Sequence, residues 1–156
     1  MKVLAIDPGY DRLGVAVIDN KDKYEILLHS DCIETDKSAA LGDRLRQIGT
    51  AFEKLIENYK PDIFGIETLF FNKNVKTAIG VAASRGVVIY LASKKNIPVV
   101  EVSPQQVKVA VTGYGKSDKK AVTIMVKQLV KNVPQSALDD EYDAIAVGVT
   151  ALAHHK

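Results

Sequence analysis

Three apolar runs stand close together at the start of the chain, and their spacing limits the fold more than any other feature. Val3-Leu4-Ala5-Ile6 stops at Asp7-Pro8-Gly9, Leu13-Gly14-Val15-Ala16-Val17-Ile18 stops at the polar turn Asp19-Asn20-Lys21-Asp22, and a third run reaches from Tyr24 to Ile33. Parallel neighbours need a crossover of about a dozen residues or more, so strands joined this closely pair antiparallel, as a meander. The pattern then changes. Between Ser38 and Tyr59 the residues Leu41, Leu45, Ile48, Phe52, Leu55 and Ile56 recur at helical intervals, and Pro61 ends the element. Ile63-Phe64-Gly65-Ile66 is a buried strand that ends at Glu67, a helix over 75–95 follows, and Ile97-Pro98-Val99-Val100 is another strand. Residues 104–111 and 118–131 are helical around Gly113-Tyr114-Gly115, and beyond Pro134 a last helix covers 139–154. Strands reached through helical crossovers lie parallel to the first. The expectation is an α/β fold with a five-stranded mixed sheet, three meander strands plus two parallel ones, flanked by helices. With 156 residues, no repeat and no linker, the chain reads as one domain, residues 1–156.

In such a sheet, ligands bind in the crevice beyond the carboxyl ends of the parallel strands. Two of those ends carry acids, Asp7 and Glu67. The last helix adds Asp140 and Asp143, each four residues before a member of the apolar face, Ala144 and Val147. Acids in a first helical turn are favoured by the macrodipole wherever they point, which accounts for Asp139 and Glu141. An acid before Pro-Gly, as Asp7 is, can also be a plain turn former. Inward-facing carboxylates repel one another and lose hydration, so they need protons or a bound cation. Four hard oxygen donors suit Mg²⁺, with Mn²⁺ as a substitute, and two such ions about 4 Å apart can activate water and stabilise the leaving oxygen of a phosphodiester.

The net charge of +2 is a cancellation. Residues 1–62 carry nine basic and twelve acidic side chains, 63–138 carry eleven and three, and 139–156 carry one and four. A basic middle beside acidic ends suits a polyanion-binding surface next to a metal site. Lys73, Lys76 and Arg85 follow Glu67, and Lys108, Lys116, Lys119 and Lys120 flank the Gly113-Tyr114-Gly115 loop, where they can hold phosphates or simply be solvated. Phe70 and Phe71 enter the same stretch, where Phe70 can stack on a base or plug the loop and Phe71 is expected to pack on its own helix. Gly80 and Gly86 weaken the 75–95 helix, so close backbone approach is expected there. The single cysteine, Cys32, excludes an intrachain disulfide and reads as a strand filler. The amino terminus meets an acid too early for a signal peptide, and no apolar run approaches membrane-spanning length, so a cytoplasmic protein is expected.

Ile6-Asp7-Pro8-Gly9 with Gly14, Gly65-Ile66-Glu67 with Phe70 and Asn72-Lys73-Asn74, Ala83-Ser84-Arg85-Gly86, Ser103-Pro104-Gln105-Gln106-Val107-Lys108 and Asp140-Glu141-Tyr142-Asp143-Ala144-Ile145-Ala146 are collinear over nearly the whole chain. Together they resemble the RuvC family of Holliday junction resolvases. The resemblance implies an RNase H-like fold and a homodimer that binds four-way junction DNA. It implies Mg²⁺-dependent hydrolysis of phosphodiesters in two strands of like polarity, in recombination and repair, with a branch-migration motor complex as a candidate partner. Carried over by position, the acids are Asp7, Glu67, Asp140 and Asp143, Lys108 and Lys119 contact DNA, Phe70 stacks near the junction centre, and the 75–95 helix contributes to the dimer. Asp139 falls outside the family spacing. Arg12-Leu13-Gly14-Val15-Ala16 is also similar to YqgF-type nucleases acting on RNA. A junction-binding module without chemistry and an actin-like ATPase are further alternatives, the latter needing two such domains to enclose a nucleotide.

Overall fold

The computed structural model describes residues 1–21, 24–69 and 75–155, with backbone only for Val75 and Lys76. Strands β1 (Lys2–Asp7), β2 (Arg12–Lys21) and β3 (Tyr24–Glu34) form the antiparallel meander that their short connections require. Helix α1 (Leu41–Tyr59) crosses to β4 (Ile63–Glu67), and α2 (Val75–Lys94) crosses to β5 (Val99–Val102). β4 is parallel to both β1 and β5. Helices α3 (Pro104–Thr112) and α4 (Lys119–Leu129), the short strand β6 (Val130–Lys131) and α5 (Asp139–His154) complete the chain. The strand order is β5-β4-β1-β2-β3-β6.

The sheet therefore has six strands where five were expected. The helical stretch assigned to 118–131 stops at Leu129, and Val130–Lys131 lies parallel to Glu25–Ile26 of β3. Val130 is buried there, and Asn132 turns the chain away in the left-handed region. The next difference is at β5. Asn96 also adopts a positive φ and returns the chain sharply, so Ile97 packs under α2 and the ladder begins at Val99, two residues later than the apolar run suggested. At α1, Asp36 accepts from the Ser38 backbone and hydroxyl, a local turn that delays the helix to Leu41.

Pleating divides β1 between two cores. Leu4 and Ile6 pack with Ile48, Phe52 and Val88 from α1 and α2, whereas Val3 and Ala5 pack with Val107, Val122 and Ile145 from α3, α4 and α5. The same alternation in β4 sends Phe64 and Ile66 one way and Ile63 the other. Asp7 and Glu67 continue the face that α5 covers. That helix lies very close to the sheet: a Cβ on Gly65 would be 2.7 Å from the Ala151 Cβ, and one on Gly148 would be 2.8 Å from the Ile18 Cδ1.

Candidate active site

The four acids reach one region from three elements. Register puts Ile6 of β1 beside Ile66 of β4, so Asp7 and Glu67 leave neighbouring strands at the same level. Asp7 is paired with Gly14 of β2, and the α5 backbone at Asp140 rests directly on that glycine. A Cβ on Gly14 would stand 1.8 Å from the Asp140 carbonyl oxygen. Glycine is thus what lets the first turn of α5 descend beside Asp7.

The carboxylates sense one another. Burial pushes the Asp7 carboxyl up to about 8, reinforced by the charges of Asp143, Glu67 and Asp140 and opposed by Lys119. Burial and Asp143 raise Glu67 to about 7, with Lys108 and Lys119 opposing. Asp143 is also raised by burial, against the pull of a hydrogen bond from Lys119. Exposure fixes the register within α5: Asp140 and Asp143 side chains are 23% and 26% exposed, whereas Asp139 is 76% exposed. The spacing that left Asp139 out of the inner face matches this placement.

Two cations stand among the acids. Lys119, first residue of α4 behind the Asp118 cap, donates to Asp143 Oδ2 at 2.7 Å. Burial works against its charge, but that hydrogen bond and the surrounding acids outweigh it and raise Lys119 above its ordinary value. Arg12 lies 2.8 Å from Asp140 Oδ2. Lys108 reaches Glu67 electrostatically because Ser103-Pro104-Gln105-Gln106 is a capping box with proline in the first turn, starting α3 right after β5. Lys116, in the α3–α4 connection, and Lys120, in the first turn of α4, are exposed. The Arg85 guanidinium pairs with Glu101 of β5 and donates to the Glu67 carbonyl. Phe70 and Lys73, along with Phe71, Asn72 and Asn74, lie outside the described residues, as does the Lys76 side chain.

Several positioning contacts carry no local sequence signal. Glu141 accepts from the Leu138 N–H and from the Ser30 hydroxyl of β3, pinning the start of α5. Arg44, buried on α1, donates to Asp11, Thr35 and the Tyr10 carbonyl and lies 3.6 Å from the Tyr10 ring centre. Ser84 of α2 donates to the Gly9 carbonyl. The turn after Asp7 is therefore held from both helices of the α1–α2 layer and from the end of β3.

The donor set fits a hard divalent cation. It consists of carboxylates only, and Asp140 Oδ2 is buried without a hydrogen bond, since its contact with Arg12 is close but misaligned. Among the described residues no three potential ligands stand near enough to grip one ion as they lie, with Arg12 and Lys119 resting on two of the four acids.

A mixed sheet in this order, covered on both faces and with acids at the ends of β1 and β4, is the RNase H-like class of fold. Thermus thermophilus RuvC has this architecture, with TM-score 0.88 at 28% identity over 99% of this chain and 96% of that one. T. thermophilus RuvC in complex with a Holliday junction substrate gives TM-score 0.90 at 28% identity, over 96% and 92%. The sequence profile described as crossover junction endodeoxyribonuclease RuvC matches residues 3–151. The protein of that name from Thermosipho melanesiensis is 45% identical over 148 residues, 94% of each chain. The chain belongs to the RuvC family.

Proposed function

We propose that the protein is a Holliday junction resolvase, a structure-selective endodeoxyribonuclease that nicks two strands of like polarity in four-way DNA. The observation that carries this reading is the meeting of Asp7, Glu67, Asp140 and Asp143 in the crevice of a RuvC-family fold, bordered by Lys108 and Lys119. Mg²⁺, two ions per site, is the cation that these acids would hold, and it supplies an activated water and a counter-charge for the leaving oxygen. Burial and mutual repulsion favour the protonated forms of Asp7 and Glu67, and a bound cation would favour the ionised ones. Lys108 and Lys119 hold the backbone phosphates against this acidic floor. Family membership and the Asp140/Asp143 placement on α5 favour this reading over an RNA-directed YqgF-type nuclease. Incubation with a synthetic four-way junction and Mg²⁺ tests it, beside duplex and RNA–DNA hybrid controls. Paired nicks in the junction alone are expected, and equal cutting of the hybrid would overturn the reading.

Symmetric cutting by a domain with one site requires two copies on one junction. A homodimer through α2 is supported by an exposed row of apolar and small residues one turn apart. Ile79 and Tyr90 are 68% and 63% exposed, and between them Ala82 and Gly86 leave the helix surface open. Tyr90→Arg should weaken the dimer by roughly tenfold or more, as loss of a central aromatic contact does. Sedimentation of wild type and variant across a concentration series checks this, and identical dimerisation in both would exclude that face.

A further inference from the structure

Arg12 enters β2 two residues before Gly14, the glycine that supports the Asp140 backbone. Its guanidinium is 2.8 Å from Asp140 Oδ2, yet that buried oxygen accepts no hydrogen bond. The contact is a charge resting on a charge, without the alignment that fixes a guanidinium to a carboxylate. The other cations of the region are held differently. Lys119 stands between two acids, 2.7 Å from Asp143 Oδ2 and 3.9 Å from Asp139 Oδ2, and Arg44 is buried with hydrogen bonds to three residues. The Arg12 side chain is 48% exposed and borders an open groove of about 590 Å³. Tyr10, Asp11, Glu34, Lys37, Thr77 and Asp140 also line this groove, with Lys37 3.4 Å from Asp11 Oδ2, so Arg12 is the cation of the groove that borders the candidate metal ligand.

A divalent cation that takes Asp140 Oδ2 displaces a positive guanidinium lying on the same oxygen, because the two charges repel at that distance. The displaced side chain then has the groove to enter. A planar guanidinium freed beside a cation-binding carboxylate matches the non-bridging oxygens of a DNA phosphate, which it can grip with two parallel N–H bonds. We propose that Arg12 is a substrate-positioning residue that rests on Asp140 in the cation-free protein and transfers to a backbone phosphate of the cut strand, in this groove, once a divalent cation occupies Asp140. The inference rests on the reading of Asp140 as a metal ligand.

The exchange gives Arg12→Gln two effects of opposite sign, which a merely structural role would not produce. Calorimetric titration of Mg²⁺ into DNA-free protein should show several-fold tighter binding in Arg12→Gln than in wild type, with Arg12→Lys close to wild type. Junction affinity is then measured against salt, once in EDTA and once with Ca²⁺ as another hard oxygen-binding cation. In EDTA the two proteins should bind alike, because the wild-type guanidinium is held on Asp140. With Ca²⁺ the wild type should bind several-fold more tightly, and its slope of log affinity against log salt should be steeper by about one. Equal or weaker Mg²⁺ binding by Arg12→Gln, or equal salt slopes in both conditions, overturns the proposal. Asp140→Asn separates this from failure of the underlying reading: if it binds Mg²⁺ as wild type does, Asp140 is not a ligand and both fall. If it loses Mg²⁺ while Arg12→Gln behaves as wild type, the exchange alone falls.

Discussion

Asp7→Asn is expected to abolish junction cleavage, by about 10³-fold or more in single-turnover rate, while junction affinity stays within a few-fold of wild type. The side chain leaves the sheet between Glu67 and the first turn of α5, where a neutral amide keeps the shape and removes the charge a cation needs. The phosphate-facing lysines are untouched, which is why binding and chemistry should separate. The same substitution has a signature in the cation-free protein. Asp7 is raised by burial to about 8, so the folded state binds its proton more tightly than the unfolded chain does. Its stabilising contribution is complete below about pH 4 and is lost as pH rises through about 8. Melting temperatures of wild type and Asp7→Asn in EDTA should therefore diverge between pH 4 and pH 8, in favour of the variant, because the asparagine has no proton to lose. A constant difference across that range would place Asp7 in water and remove it from the cluster. Full cleavage by Asp7→Asn would remove it from the site altogether.

What could be read from the sequence was whatever periodicity and chain connectivity dictate. The meander follows from the closeness of Ile6 to Leu13 and of Ile18 to Tyr24. Asp7 and Glu67 follow from apolar strands that stop on an acid, and the inward pair of α5 follows from a step of four along one helix face. The spacing that separated Asp140 and Asp143 from Asp139 agrees with their burial and its exposure. Contacts set by tertiary packing left no such mark. Arg12 meets Asp140, and Ser30 meets Glu141, across more than a hundred residues, and nothing local distinguishes these side chains from solvated ones. Arg85 is a further case. Its position after Glu67 in a basic segment makes it a candidate for phosphate contact, and no local pattern shows that its guanidinium also meets Glu101 of β5 and the Glu67 carbonyl. The sixth strand has no sequence mark for a related reason. Two residues of extended chain behind a helix have no period, and only the open edge of β3 makes them a strand.

Gly14→Ala should be among the most damaging small substitutions outside the acids. The added methyl carbon would lie 1.8 Å from the Asp140 oxygen and 2.4 Å from its carbonyl carbon. Both are backbone atoms, so no side-chain rotation relieves the overlap, and the α5 turn is already fixed by Glu141 to Ser30 and Leu138. Either the turn lifts from β2 or the strand bends away, at a cost of about 1–3 kcal/mol or more. Lifting the turn carries Asp140 and Asp143 away from Asp7 and Glu67. A displacement near 1 Å is enough to reduce cleavage by about 10²-fold, and cation binding should weaken with it. Gly42→Ala is the matched control: it adds the same methyl on α1, where nothing lies within 4 Å, and should be neutral or stabilise by up to about 1 kcal/mol. Urea unfolding, Mg²⁺ titration and single-turnover cleavage of the two variants give a direct comparison. Loss of stability without loss of cation binding in Gly14→Ala would mean that the strand yields and α5 does not. Loss of all three is the outcome expected if the descent of α5 onto Gly14 is what assembles the carboxylates.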